Sequence, residues 1–213
     1  LGIYMFRDLL NTTNSNIYLI IRSNENKTSI DRLKEKIDYY FNENIMEKFK
    51  NRIFVIDGDL TKTCFGLTED TYNNLALKID CIIHSAANTK HFGKYSSFEK
   101  VNVKGTELVV EFASVGKMKD LNFISTMAVM QGKLNELNSR IFTVYDMFLN
   151  SDVSSYYIRS KIEAESIVIK AREKGLKTNI FRVGNIVFDS VSGSFQENIE
   201  DNAFYLIIKS FIK

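Results

Sequence analysis

A tyrosine and a lysine four residues apart are the side chains in this sequence best suited to acid–base chemistry. Tyr157 and Lys161 lie in the stretch SSYYIRSKIEAE. On a helix, residues i and i+4 share a face, so these two side chains point the same way while Tyr156 points elsewhere. A lysine ammonium lowers the pKa of a nearby phenol, which helps the phenol exchange a proton with a substrate oxygen. The pattern Tyr-x-x-x-Lys is common by chance. It indicates a catalytic site only when the surrounding helices and strands place it in one.

A hydroxyl group at a strand end completes a possible catalytic set. The stretch FISTMAV (residues 123–129) places Ser125 and Thr126 at the end of an apolar run. A hydroxyl there can orient and polarise a substrate carbonyl, although a helix cap or a turn is the alternative. With Thr126, we expect Tyr157 to protonate the oxygen of a carbonyl that receives a hydride. We expect Lys161 to lower the pKa of that tyrosine and to bind the nicotinamide ribose.

The elements that would hold these residues alternate along the chain. Short runs rich in β-branched and aromatic residues favour strands buried in a parallel sheet; they cover residues 17–21, 53–56, 80–86, 121–125 and 178–183. Helical patterns lie between them, over residues 1–16, 29–49, 98–114 and 154–175. In the second helical pattern an apolar stripe is predicted at Ile30, Leu33, Ile37, Phe41 and Phe49. This alternation predicts an α/β fold with a doubly wound parallel sheet, whose ligand crevice lies at the carboxyl ends of the strands.

The beginning of the chain departs from this plan. A dinucleotide-binding unit opens with a strand, a glycine-rich turn and then a helix, but here the helical pattern begins at residue 1. Gly2 stands where the last glycine of the turn would be, so we assign it to cofactor binding. The first strand lies in the middle of the usual sheet, and without it neighbouring strands would face a gap. We therefore expect the 213 residues to be a fragment of a longer protein.

Two further strand ends carry polar residues suited to a dinucleotide. Arg22 ends the first visible strand, 20 residues after Gly2, where an acidic residue favours NAD and an arginine accommodates the 2′-phosphate of NADP. Arg22 followed by Ser23 favours NADP, and a solvated surface arginine is the alternative. Asp59 follows the next strand and can accept a hydrogen bond from the adenine amino group, with Leu60 packed on the ring. An ordinary turn rich in Asp and Gly explains these two residues equally well.

Small residues follow the third predicted strand in the stretch HSAANT (residues 84–89). Small side chains let a backbone approach a ligand closely. We therefore assign three of them to cofactor binding: Ser85, Ala86 and Ala87. His84 precedes them on the strand itself, and we expect it to be structural.

Composition excludes several classes of function. The chain is 45% hydrophobic and 25% charged with a formal net charge of +2, which is typical of an ordinary globular protein. The charges are interspersed, so no nucleic-acid or membrane partner is predicted, and no apolar run approaches the ~20 residues that a bilayer requires. Cys64 and Cys81 lack the spacing of metal ligands. We expect free thiols, no metal and a cytoplasmic location.

Taken together, these stretches resemble the extended short-chain dehydrogenase/reductases, which have a Rossmann-like fold. More narrowly, they are similar to the thioester reductase domains that end nonribosomal peptide synthetases, relatives of the reductase part of α-aminoadipate reductase. The narrow signals are GLTEDTYNNLALKIDCIIHSAA, NVKGT and QENIEDNAFYLIIKSFIK. The resemblance runs over essentially the whole chain, with the motifs in the family's order.

The resemblance implies NADPH-dependent release of a peptidyl or aminoacyl thioester from the phosphopantetheine arm of a carrier domain, as an aldehyde or an alcohol. Thr126, Tyr157 and Lys161 match the family's catalytic triad. Cofactor contacts are implied for Arg22 at the 2′-phosphate and for Asp59 and Leu60 at the adenine. Asn102 of NVKGT matches an asparagine that supports the active-site helix. Val183 in FRVGNI stands where the family usually has proline, beside the nicotinamide.

The resemblance also implies that residues 1–213 form a single NADP-binding domain, truncated at both ends, with the substrate subdomain mostly absent. Other hypotheses keep the fold: a fatty-acyl or carboxylic-acid reductase, or a sugar-nucleotide epimerase. Epimerases usually carry an acidic residue near the position of Arg22. A non-catalytic cofactor-binding module is the alternative from another class, and the intact set of catalytic residues argues against it. Because we expect a truncated chain, an inactive fragment of an active protein is a further alternative.

Overall fold

The computed structural model describes residues 1–90, 92–130, 143, 153–197 and 199–212. The helices, in chain order, are α1 (Gly2–Thr12), α2 (Ser29–Phe41), α3 (Ile45–Lys48), α4 (Glu69–Lys78), α5 (Tyr95–Phe98), α6 (Gly105–Ser114), α7 (Tyr156–Glu173) and α8 (Ala203–Ile212). The strands are β1 (Ile17–Ile21), β2 (Ile53–Asp57), β3 (Cys81–His84), β4 (Asp120–Thr126) and β5 (Thr178–Val183). A π-helical segment, Glu99–Lys104, joins α5 to α6, and short 3₁₀ turns cover Thr63–Gly66, Met127–Met130 and Ile199–Asp201. Asn198 and Lys213 of the carboxyl-terminal motif lie outside the described residues.

The strands form two parallel ladders. β1 pairs with β2, and the other ladder has the order β3-β4-β5. The predicted α/β class with parallel strands is confirmed, but the described strands do not form one continuous sheet.

The chain divides into two compact units. The first contains Leu1–Asp59, Phe65–Leu67 and the residues from Ile186 onward; the second contains Leu60–Cys64 and Thr68–Asn185. In the first unit, side chains spaced four apart on α1 and α2 meet the strands in a buried cluster: Phe6, Leu10, Leu33, Ile37, Ile45 and Ile53. Burying a side chain of this size contributes about 1.5–3 kcal/mol to the free energy of unfolding, so this cluster stabilises the first unit.

The predicted helix over residues 29–49 is interrupted. α2 ends at Phe41 because Asn42 adopts a left-handed conformation, with φ 50°, and α3 follows as a separate turn. The amino-terminal end of α2 is set by a capping box, in which the Thr28 and Asp31 side chains each accept from the other residue's backbone N–H. Ile30, predicted to join the apolar stripe, lies in that first turn and is exposed.

In the second unit, β4 lies between β3 and β5 with every described strand parallel. Alternate residues of β4 face the core, where Leu121 and Phe123 are buried. Helices α6 and α7 pack against each other and against β4. Thr126 pairs with Val183 at the last rung, so these two residues end their strands at the same edge of the ladder.

Candidate functional site

Tyr157 and Thr126 share a hydrogen bond. Tyr157 lies in the first turn of α7, which is capped by Ser155, whose hydroxyl accepts from the Ile158 N–H at 3.4 Å. Thr126 is the last residue of β4, and its own hydroxyl also accepts from the Ala128 N–H at 3.2 Å. Burial raises the pKa of Tyr157, and the hydrogen bond with Thr126 lowers it in part. The phenol is therefore protonated at neutral pH and can act as an acid.

Lys161 lies one turn farther along the same face of α7. Its side chain is buried; Nζ donates to the Ile124 carbonyl at 2.7 Å and lies 4.2 Å from the centre of the Phe123 ring. Burial lowers the pKa of Lys161 to about 8, although Glu165 acts in the opposite direction. The expected lowering of the Tyr157 pKa by Lys161 is not found, because this pKa is shifted by burial and by the Thr126 side chain.

A buried ion pair lies beside this lysine. Arg182 of β5 donates to Glu165 of α7, with Nη2 2.8 Å from Oε2 and Nε 3.1 Å from Oε1. The two side chains are 14% and 5% exposed. Neither residue was predicted from the sequence. The signal for Glu165 was its position four residues after Lys161, which places it on the face that carries Tyr157 and Lys161.

Asn102 ties the loop after β3 to the start of α7. Its amide Nδ2 donates to Ser160 Oγ at 2.9 Å and to the Asn88 carbonyl at 3.0 Å, while Oδ1 accepts from the Asn88 N–H at 2.7 Å. Ser160 Oγ in turn donates to the Tyr157 carbonyl at 2.7 Å. The asparagine lies in the π-helical segment, a distortion often found at functional sites. These contacts agree with the supporting role that the resemblance implied.

The end of β3 combines a buried histidine with an accessible loop. His84 lies 3.1 Å from the Thr106 hydroxyl, and burial, helped by the charge of Lys161, lowers its pKa to about 3. The histidine is therefore neutral and structural, as expected. Ser85 and Ala86 are exposed and Ala87 is half-buried, so their backbone is open to a ligand.

Two residues predicted to contact the adenosine part of the cofactor, Arg22 and Asp59, lie together in the first unit. Arg22 follows β1 with its side chain 65% exposed, and its Nη1 lies 3.6 Å from Oδ2 of Asp59. The Arg32 side chain on α2 donates to the Arg22 carbonyl. Arg32 was not predicted from the sequence; its signal was a second arginine ten residues after Arg22, in the first turns of the next helix. Two guanidinium groups at one strand end are a donor set that suits a phosphate.

Gly2 borders a cleft of about 190 Å³ in the same unit. The cleft is lined by Gly2, Ile3, Phe6, Leu19, Ile21, Arg32, Leu33 and Lys36. Its walls are largely apolar with two cationic side chains, one of them Arg32. Leu60 and Val183, the other predicted cofactor contacts, belong to the second unit; Leu60 lies against Gly105, and Val183 ends β5.

No described helix combines the length and the apolar character that crossing a bilayer requires. The two cysteines, Cys64 and Cys81, are free thiols.

Two curated proteins are similar to this chain over almost its whole length. The chain is 33% identical to one subunit of the linear gramicidin synthase of Brevibacillus parabrevis, over 93% of its own length and 4% of the relative's. It is 31% identical to the L-2-aminoadipate reductase large subunit of Candida glabrata, over 91% of this chain and 15% of that protein.

Solved structures of reductase domains are also similar to this chain. A thiolation-reductase di-domain from an archaeal non-ribosomal peptide synthetase matches with a TM-score of 0.86 and 28% identity, over 98% of this chain and 44% of the solved one. The terminal R domain of the myxalamid pathway matches with a TM-score of 0.80 and 26% identity, over 92% and 49%. The chain thus spans about half the length of these structures and a small part of the curated relatives. The family model described as "Male sterility protein" (NAD_binding_4) matches residues 1–212, and the chain belongs to that family of NAD-binding domains.

Proposed function

We propose that this chain is the cofactor-binding part of an NADPH-dependent thioester reductase, which releases a carrier-bound peptidyl or aminoacyl group as an aldehyde or an alcohol. The observation that carries the proposal is the grouping of Thr126, Tyr157 and Lys161 at the start of α7 and the end of β4. The similarity to the thiolation-reductase di-domain of a peptide synthetase supports it.

The residues of this chain would act on the oxygen of the thioester carbonyl. A bound NADPH would supply the hydride that reduces the carbonyl carbon. The oxygen, protonated in this step, would give up its proton as the carbon–sulfur bond breaks, so that the products are the aldehyde and the protonated thiol of the carrier. Thr126 would orient the carbonyl oxygen by a hydrogen bond. Tyr157 would donate its proton to that oxygen as negative charge develops there. Lys161 would hold the nearby backbone through the Ile124 carbonyl and would hydrogen-bond the nicotinamide ribose.

The cofactor contacts of this proposal lie at the start of α1 and at the carboxyl ends of the described strands. Gly2 would lie beside the pyrophosphate at the amino-terminal end of α1. Arg22 would contact the 2′-phosphate, with Asp59 and Leu60 at the adenine. The remaining cofactor contacts of this proposal are Ser85, Ala86, Ala87 and Val183.

The partner would be a phosphopantetheinyl carrier domain bearing the acyl group. One solved relative is itself a thiolation-reductase di-domain, which supports this choice of partner. Two free thiols support a reducing compartment, so we place the protein in the cytoplasm.

The experiment that tests this function follows NADPH absorbance in the full-length protein that contains this chain. The same acyl group is presented on a carrier domain and on coenzyme A. NADPH consumption with the carrier thioester, releasing an aldehyde or an alcohol, supports the proposal. Turnover on the coenzyme A ester alone would instead indicate a fatty-acyl reductase.

Replacing Arg22 should change cofactor preference. In Arg22→Asp, a charge-assisted contact to the 2′-phosphate is lost and a repulsive charge is added, so the NADPH:NADH affinity ratio should fall by about 100-fold, equivalent to roughly 2–3 kcal/mol. Equilibrium binding of both cofactors measures the ratio. Arg7→Asp is a suitable control, since Arg7 lies on α1 and pairs with Asp8. An unchanged ratio in the Arg22 variant would remove Arg22 from the 2′-phosphate site.

The rate should fall in alkaline solution. Below its pKa of about 8, Lys161 carries the ammonium charge that would bind the nicotinamide ribose, and it loses that charge as pH rises through this value. We therefore expect kcat/KM for NADPH, which reports the free enzyme, to decrease above about pH 8. Stability should change in the opposite direction. Between pH values of about 8 and about 10.4, the pKa of lysine in the unfolded chain, the unfolded state binds more protons than the folded state. The contribution of Lys161 to the free energy of unfolding therefore rises with pH in this interval. A kcat/KM that stays level across this interval would contradict the assignment.

A further inference from the structure

Asp57 occupies the hydrogen-bond donors of the turn that would face the adenosine ribose. Asp57 is the last residue of β2 and pairs with Ile21 at the end of β1. Its Oδ1 accepts from the Ser23 N–H at 2.8 Å, and its Oδ2 accepts from the Ser23 hydroxyl at 2.7 Å. A carboxylate of the chain therefore engages both donors of Ser23.

These donors lie next to Arg22 in the sequence. A backbone N–H, a hydroxyl and a guanidinium together form a donor set typical of phosphate binding. In this structure the chain's own carboxylates face that set: Asp57 engages Ser23, and Asp59 lies 3.6 Å from Arg22. The turn thus combines a cation that favours NADP with an acidic group of the type that accepts from the ribose 2′-hydroxyl of NAD.

We propose that Asp57 is a specificity-determining residue that weakens the preference for NADPH over NADH. Its carboxylate competes with the 2′-phosphate for the donors of Ser23 and repels the phosphate, while it can accept a hydrogen bond from the free 2′-hydroxyl of NADH. The proposal rests on the proposed function, because it places the adenosine ribose beside Arg22. Asp57 is exposed at the strand end, so a nucleotide can reach it.

A purely structural role makes a different prediction. If Asp57 only held Ser23 in place for the phosphate, removing its charge would leave NADPH binding unchanged or weaken it. An asparagine separates the two roles, since its carbonyl oxygen can still accept from the Ser23 N–H and its size is the same. The charge is removed, and an NH2 group replaces the Oδ2 that accepts from the Ser23 hydroxyl.

The test compares the full-length protein with its Asp57→Asn variant, measuring dissociation constants for NADPH and NADH by calorimetry without any thioester. We expect the NADPH:NADH affinity ratio to rise about tenfold, the size expected for one unit charge a few ångströms from a phosphate in partly solvated surroundings. Asp38→Asn is the matched control: Asp38 is exposed on α2, and the same charge is lost from the same unit away from Ser23. The control ratio should not change.

A ratio that is unchanged or lower in Asp57→Asn would overturn the proposal. Asp57→Ser provides a second neutral variant if the asparagine variant does not fold. These outcomes are separate from the proposed function, which fails if the carrier thioester is not reduced even though both cofactors bind.

Discussion

Tyr157→Phe should abolish reduction while leaving cofactor binding nearly unchanged. The variant loses the hydroxyl that hydrogen-bonds Thr126 and that would protonate the carbonyl oxygen. A positioned general acid contributes about 10²–10⁴-fold, so kcat should fall by this factor. The phenyl ring keeps the packing against Val129 and Ile158, so the fold should be retained. Steady-state turnover and NADPH binding, measured on the same preparation, check the two halves of the prediction.

The adjacent tyrosine provides the control. Tyr156 is 47% exposed and packs against Tyr95, with ring centres 5.7 Å apart, on a different face of α7. Tyr156→Phe should therefore retain wild-type turnover. Retained turnover in Tyr157→Phe, or equal losses in both variants, would remove Tyr157 from the acid role.

Glu165→Leu should produce the largest loss of stability. It leaves the Arg182 guanidinium, which is 14% exposed, without the carboxylate that accepts its hydrogen bonds. Breaking a buried pair by removing one partner costs about 3–5 kcal/mol, because the remaining buried charge loses its opposite charge. Chemical denaturation of the variant and the wild-type protein measures the change in the free energy of unfolding.

Removing one partner of an exposed ion pair should change the free energy of unfolding much less. Lys104 and Glu107 are 57% and 45% exposed, and exposed pairs contribute about 0–1 kcal/mol, so Glu107→Leu should have little effect. The double variant Glu165→Leu/Arg182→Met should recover much of the loss, since apolar residues often replace a buried pair at little cost. A single Glu165 variant as stable as the Glu107 variant would contradict a structural role for the pair.

The sequence indicated the α/β class because its signals are local. Strand positions followed from continuous apolar runs, and the helical pattern over residues 154–175 indicated α7. Helix ends were harder to predict: α2 stops at Asn42, a residue whose left-handed conformation cannot be distinguished by composition from an exposed helical asparagine. The register within each ladder follows from strand pairing, which a linear pattern does not specify.

Some features of the candidate site could be predicted from the sequence, and others could not. Thr126, Tyr157 and Lys161 could be predicted because strand ends and i, i+4 spacing are visible in a sequence. The direction of the Tyr157 pKa could not, because it depends on how deeply the ring is buried. The partner of Glu165 also lay beyond prediction. Arg182 is on another element, and only β-sheet register brings it opposite Ser125.

Hydride transfer to a carrier-bound thioester carbonyl is the central claim, and isotope transfer tests it most directly. The full-length protein would be supplied with the carrier thioester and NADPH deuterated at the nicotinamide C4 position that transfers hydride, and the released product would be analysed by mass spectrometry. We expect an aldehyde, or the derived alcohol, with deuterium on the former carbonyl carbon and the free thiol on the carrier. Release of the unlabelled carboxylic acid, or recovery of the intact thioester with cofactor bound, would contradict the claim.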